Sequence, residues 1–137
     1  MGESQYALEV TVGGDAIDEL GHVNNATYLQ FVEQIARAHS ESLGLGTQEF
    51  LNAGGVFVVR RHEVEYFAPA HTDDQLTLKS RVERISGPRC VRLVDIWRGS
   101  DLIVSACTDW VWVDAHTRLP RRIPLHIAQA FAARADD

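Results

Sequence analysis

The sequence predicts an α+β fold in which a curved antiparallel sheet wraps around one long central helix, within a single domain spanning residues 1–137. Three observations predict it. A segment near the N-terminus carries apolar residues at helical spacing. Four later segments read as strands joined by short, turn-rich stretches. One apolar helix face and one apolar sheet face are then left to cover each other.

The elements follow in order. Residues 5–12, QYALEVTV, alternate apolar and polar and read as a strand, which GGD then breaks. The helix runs from about Asn24 to Leu43. Tyr28, Leu29, Phe31, Val32, Ile35, Ala36, His39 and Leu43 share one broad face, and Gln30, Glu33, Gln34, Arg37, Ser40 and Glu41 share the other. Glu33 and Arg37 have the spacing of an i,i+4 ion pair. His39, on the apolar face, reads as a buried, hydrogen-bonded histidine. The helix starts either at the asparagines or at Thr27, with Gln30 completing a capping box. Gly44 and Gly46 end it. After a loop through NAGG come strands at about Val56–Phe67, Gln75–Ile85, Cys90–Arg98 and Leu102–Asp114. Their joins, APAHTDD, SGPR and GSD, are short enough to predict antiparallel neighbours. Leu76, Leu78, Ser80 and Val82 lie on one strand face, with Gln75, Thr77, Lys79 and Arg81 on the other. A terminal helix, HIAQAFAAR, follows Pro124.

The bulk properties exclude several classes. The hydrophobic fraction of 45% over 137 residues supports a packed core. A net charge of -6 argues against nucleic acid as a partner, because phosphate backbones select basic surfaces. No apolar run approaches the ~20 residues of a membrane span, and the N-terminus lacks a signal-peptide pattern, so the expected location is cytoplasmic. Cys90 and Cys107 then read as free thiols.

The stretch DELGHVNNATYL, Asp18 to Leu29, carries the chemistry. Glycine marks a tight turn, and asparagine caps helices better than it sits inside them. An acid and a histidine are thereby placed beside a helix N-terminus, whose free N–H groups attract negative charge.

The longer string DELGHVNNATYLQFVEQIAR resembles the signature of the hotdog-fold thioesterases related to 4-hydroxybenzoyl-CoA thioesterase. The matching positions are Asp18, Gly21, His22, Val23, Asn24, Asn25, Tyr28 and Leu29, followed by Glu33 and Arg37. VVRRHEVEYFAPAHTDDQLTLKSRV and WVWVDAHTRLPRRIP resemble later strands of the same family. One departure stands out: many relatives have an aspartate two residues before the position of Asp18, where this chain has Ala16, with Asp15 one residue earlier.

The resemblance implies an acyl-CoA thioesterase. It implies that Asp18 attacks the thioester or activates the water that does, with the thioester carbonyl facing the helix N-terminus. A backbone N–H near Asn24 or Asn25 would then stabilise the oxyanion. Asp18, His22 and Asn25 are the candidate catalytic residues. Gly21, Val23, Asn24, Tyr28 and Arg60 are the candidate substrate contacts. Arg60, Arg61, Lys79, Arg81, Arg84 and Arg89 are the cations available for CoA phosphates, although Arg60 and Arg61 point to opposite faces. The GHVNN form resembles members that act on fatty acyl thioesters. The family also implies a homodimer or homotetramer.

Other chemistries find less support. There is no Gly-x-Ser-x-Gly elbow, no histidine partner for either cysteine and no metal-ligand spacing, so neither metal nor cofactor is expected. Another hotdog group uses a helix-borne carboxylate, but Glu33 lies on the polar face beside Arg37 and reads as structural or interfacial. The alternatives are an acyl-thioester dehydratase, for which Asp18 with His22 is an unusual arrangement, and a non-catalytic acyl-thioester-binding module, whose binding would survive loss of Asp18.

Overall fold

The computed structural model describes residues 5–133. Strand β1 is Gln5–Thr11, and a single 3-10 turn at Gly14–Ala16 follows it. Helix α1 is Asn25–Ser42 and helix α2 is Thr47–Asn52. Strands β2 (Gly55–Tyr66), β3 (Gln75–Ser86), β4 (Arg89–Arg98) and β5 (Asp101–Asp114) precede helix α3, Leu125–Ala133. The α+β layout and its antiparallel sheet agree with the sequence reading. No helix among the described residues is long and apolar enough to cross a membrane.

The five strands form one sheet in the order β1-β3-β4-β5-β2. The join between β2 and β3 therefore does not connect neighbours, contrary to the expectation from its shortness. Instead β2 pairs with β5, while β3 pairs with β1 and β4. Residues 67–74 cross the end of the sheet, because the partner surface each strand needs lies on opposite sides of the β4–β5 hairpin.

Register places the apolar positions on the face that covers α1. Leu78 lies opposite both Leu8 and Ile96, and Val94 lies opposite both Ser80 and Ala106. The helix answers with Tyr28, Val32, Ile35, Ala36 and His39, all buried. Val32 and Ile35 have no exposed surface, and each such burial stabilises by about 1.5–3 kcal/mol.

Helix α2 is absent from the sequence reading, which has a loop there. Its six residues are too few to show a period, and it is held by tertiary contacts rather than propensity. The Glu49 carboxylate accepts the Gly46 N–H at 2.9 Å, and the Phe50 ring packs edge-on against Phe57 and Trp112. Gly55 belongs to this cluster for a steric reason: a Cβ there would sit 2.5 Å from Trp112 Cε2. Ile127 and Phe131 of α3 close the same end of the molecule.

The covered face also contains a polar seam. Arg92 Nη1 donates to Ser80 Oγ and to His39 Nδ1, both at 2.7 Å. Farther along, His62 Nδ1 lies 2.9 Å from Thr108 Oγ1, and His62 Nε2 lies 3.5 Å from Glu33 Oε2. Glu33 thus faces β2, and the expected Glu33–Arg37 pair does not form among the described residues: the carboxylate lies beside His62, a less exposed partner than Arg37.

Burial, and then the Arg92 guanidinium, push the His39 imidazole down from 6.5 to about 4. His39 is therefore neutral and accepts at Nδ1. Because the folded state holds the proton less tightly than the unfolded chain, the contribution is complete above pH 6.5 and is lost as pH falls toward 4, by roughly 3 kcal/mol at most. Urea midpoints at pH 7 and pH 5 are expected to show a large drop in the wild type and a smaller one in His39→Gln. Equal drops would remove His39 as the cause.

Candidate active site

The site is built at the start of α1. Asp18 and His22 close a short hairpin, with the Asp18 N–H donating to the His22 carbonyl at 2.8 Å and the Gly21 N–H to the Asp18 carbonyl at 3.1 Å. Gly21 takes φ of +79°, which a side chain would strain. Asp18 Oδ1 accepts the Leu20 N–H at 2.9 Å and the His22 N–H at 3.2 Å. No donor among the described residues engages Asp18 Oδ2, and the residue is exposed.

The helix then starts at the asparagines, not at Thr27. Asn24 has extended backbone, and its Oδ1 accepts the Ala26 N–H at 2.8 Å. The Thr27 N–H goes to the Asn24 carbonyl at 2.9 Å. That leaves the Asn25 N–H as a helix-end donor with no acceptor among the described residues.

The β2–β3 crossover completes the enclosure. Val23 donates to the Ala70 carbonyl at 2.9 Å, and Ala70 donates back to the Tyr28 hydroxyl at 3.1 Å. Burial pushes the Tyr28 phenol above its ordinary value, so the hydroxyl stays protonated at neutral pH. A cavity of about 240 Å³ results. Asp18, His22, Val23, Asn25 and Tyr28 line it on one side, and residues 66–69 line it on the other. The half-buried His22 ring meets the His71 ring edge-on at 5.3 Å.

All three candidate catalytic residues therefore meet in one cavity, with Val23 and Tyr28 of the candidate substrate contacts. Gly21 and Asn24 shape the walls without lining them. Arg60 stands exposed at the β2 bulge, where the register shifts between Val59 and Arg61, and it lines neither of the cavities described here. Sequence reasoning missed Tyr66, Phe67, Ala68, Pro69 and His71. A signal existed in the two aromatics ending a strand just before proline; Tyr66 and Phe67 are 42% and 56% exposed, unusual for aromatics without a binding role.

The thiols lie elsewhere. Burial pushes Cys90 up to about 11 and also raises Cys107, where Asp109 adds to the effect. Neither has thiolate character at neutral pH.

Comparison with known proteins agrees with this arrangement. The family model of the thioesterase-like superfamily matches residues 12–131. The acyl-CoA thioester hydrolase YbgC of Escherichia coli O157:H7 is 29% identical over 135 residues, covering 96% of this chain and 98% of the relative. A chloroplastic acyl-acyl carrier protein thioesterase of Arabidopsis thaliana is 26% identical over 128 residues, covering 92% of this chain and 68% of the relative. The crystal structure of a probable thioesterase from Bartonella henselae matches with a TM-score of 0.81 at 28% identity, covering 88% of this chain and all of that one. A helix wrapped by a five-stranded antiparallel sheet, with these relatives, is a hotdog fold of the thioesterase class. The chain belongs to the thioesterase-like superfamily and is a thioester hydrolase.

The Tyr28–Ala70 hydrogen bond is what ties the crossover to the helix. Tyr28→Phe leaves the buried Ala70 N–H without its acceptor, at a cost of about 1–3 kcal/mol. Thermal unfolding with amide exchange at Ala70 is expected to show lower stability and faster exchange; unchanged exchange would remove the tether.

Proposed function

We propose that this protein hydrolyses acyl-CoA thioesters to the free acid and CoA, with Asp18 as the reacting carboxylate. One observation carries the reading: a carboxylate held by a single oxygen shares a cavity with an open helix N-terminus. The tethered Oδ1 fixes the group, and Oδ2 is left to react. As a thioester carbonyl is attacked, charge gathers on its oxygen, and the Asn25 N–H with the helix dipole behind it stabilises that charge.

Two routes fit. Asp18 Oδ2 can attack the carbonyl carbon, expelling CoA thiolate and leaving a mixed anhydride that water cleaves. Or it can take a proton from the attacking water. His22 orients water or substrate in either case. The apolar wall of Tyr66 and Phe67 supports an acyl or pantetheine contact there. The motif favours a fatty acyl group. The Arabidopsis relative supports carrier-protein thioesters as a second substrate form.

The free edge of β2 supports a homodimer in which two copies of that strand pair. Val91 and Leu93, which alternate with the inward-facing Arg92 and Val94 and so lie on the sheet face away from α1, support a further step to a homotetramer. The expected location is the cytoplasm.

Asp18→Asn keeps the shape and removes the charge. Thiol release from a panel of short, medium, long and aromatic acyl-CoAs is expected to fall by about 10²–10⁴-fold. Near-wild-type turnover would end the assignment. A single turnover in ¹⁸O-water tests the first route: label in Asp18 with unlabelled acid released identifies Asp18 as the nucleophile, attacked by water at its own carbonyl carbon. Light scattering is expected to give a mass of at least two 15.3 kDa chains, and a monomer would refute the β2 pairing.

A further inference from the structure

A second cavity, of about 270 Å³, lies beside the C-terminal half of α1, away from Asp18. Its walls are mainly apolar, with Phe50, Phe57, Trp110 and Phe131 prominent among them. Arg92 enters it from β4 and is only 3% exposed.

A buried guanidinium is ordinarily paired with a carboxylate, because an uncompensated charge away from water is costly. Here the partners are neutral. Nη1 donates to the Ser80 hydroxyl and to the unprotonated nitrogen of His39. No carboxylate lies within ion-pairing distance of Arg92 among the described residues. Nε has no acceptor, and none is found for Nη2 among the described residues. The Phe131 ring lies 5.4 Å from the guanidinium carbon. The indole Nε1 of Trp110, on the same cavity, is also buried without an acceptor.

Arg92 Nε and Trp110 Nε1 are sealed by protein atoms, which leaves the unpartnered Nη2, with a full charge behind it, as the donor that Arg92 offers the chamber. What is missing is an acceptor with one negative charge. A carboxylate matches the guanidinium fork, whereas a phosphate dianion would be doubly charged against one buried cation. Glu33 also lines the cavity, but its carboxylate is turned to His62. The volume suits a body about the size of a phenyl or short branched chain.

We propose that this cavity binds a small carboxylate with an apolar aryl or branched body, its carboxylate taken by the unpartnered Nη2 of Arg92 and its body lying against the Trp110 ring. The site is separate from Asp18, and the inference does not depend on the hydrolytic reading. Such a carboxylate can arrive as a free acid or as the far end of an acyl group.

The test uses the full chain labelled with ¹⁵N at its three tryptophans, with Trp110→Phe assigning the indole signal. Phenylacetate is expected to shift the Trp110 indole resonance saturably, and neutral phenylacetamide to bind at least about tenfold more weakly. Arg92→Met is expected to abolish that preference. If that variant does not fold, Arg92→Lys keeps the charge but loses the fork, and is expected to bind phenylacetate several-fold more weakly. No shift of the Trp110 indole, or equal affinity for acid and amide, overturns the proposal. Phenylacetate added to butyryl-CoA hydrolysis assigns the source: competitive inhibition marks the site as the seat of an acyl end, and any other result marks a free-acid site.

Discussion

The structure depends on one act of burial: a single helix face covered by a single sheet face. Val32 and Ile35 are wholly enclosed, and Leu78, Val94 and Ile96 meet them from the sheet without exposed surface. Antiparallel pairing fixes which side chains point inward, since a one-residue slip would turn every one of them outward. With the helix locked along the sheet, its N-terminus can emerge at only one place. The helix-end donors are therefore positioned by hydrophobic packing of residues that never touch a substrate.

The second requirement is to hold loop residues against that N-terminus. Two hydrogen bonds do this, from Val23 to Ala70 and from Ala70 to Tyr28. They join the segment before the helix, the helix itself and the β2–β3 crossover. The crossover exists because β2 and β3 lie at different places in the sheet, so its path over the end is a consequence of strand order. Asp18 is fixed more locally, by the backbone N–H groups of Leu20 and His22. A rigid frame thus carries a small loop whose carboxylate keeps one oxygen unengaged.

The seam of His39, Ser80 and Arg92 runs against the logic of an apolar core. A neutral imidazole and a hydroxyl satisfy part of the guanidinium, Nε is sealed without an acceptor, and the residue lines a chamber with aromatic walls. Replacing a buried charge by apolar residues is often neutral or stabilising, so stability alone is a weak reason for Arg92. The cost of the buried charge is better explained by what the chamber receives.

Local periodicity and turn chemistry were enough to read most of the fold. The alternation in β3, the apolar face of α1 and the turns at SGPR and GSD are local signals, and the structure places those elements within a residue or two of the reading. The motif from Asp18 to Tyr28 was equally legible, because a turn glycine, a capping asparagine and the first helix residues act on near neighbours in the chain. Strand order was not legible: which edge β2 joins is decided by where its apolar face finds cover, a competition among all the strands. Helix α2 was too short to leave a period. The far wall of the active-site cavity, Tyr66 to Pro69, lies about fifty residues along the chain from Asp18, with the Tyr28–Ala70 bond spanning a separation of 42 residues. The same holds for the chamber at Arg92, whose lining comes from both sheet and helices. Sequence determined the elements and the local chemistry of the helix start; tertiary structure decided the two cavities, because enclosure is a property of surfaces brought together from distant parts of the chain.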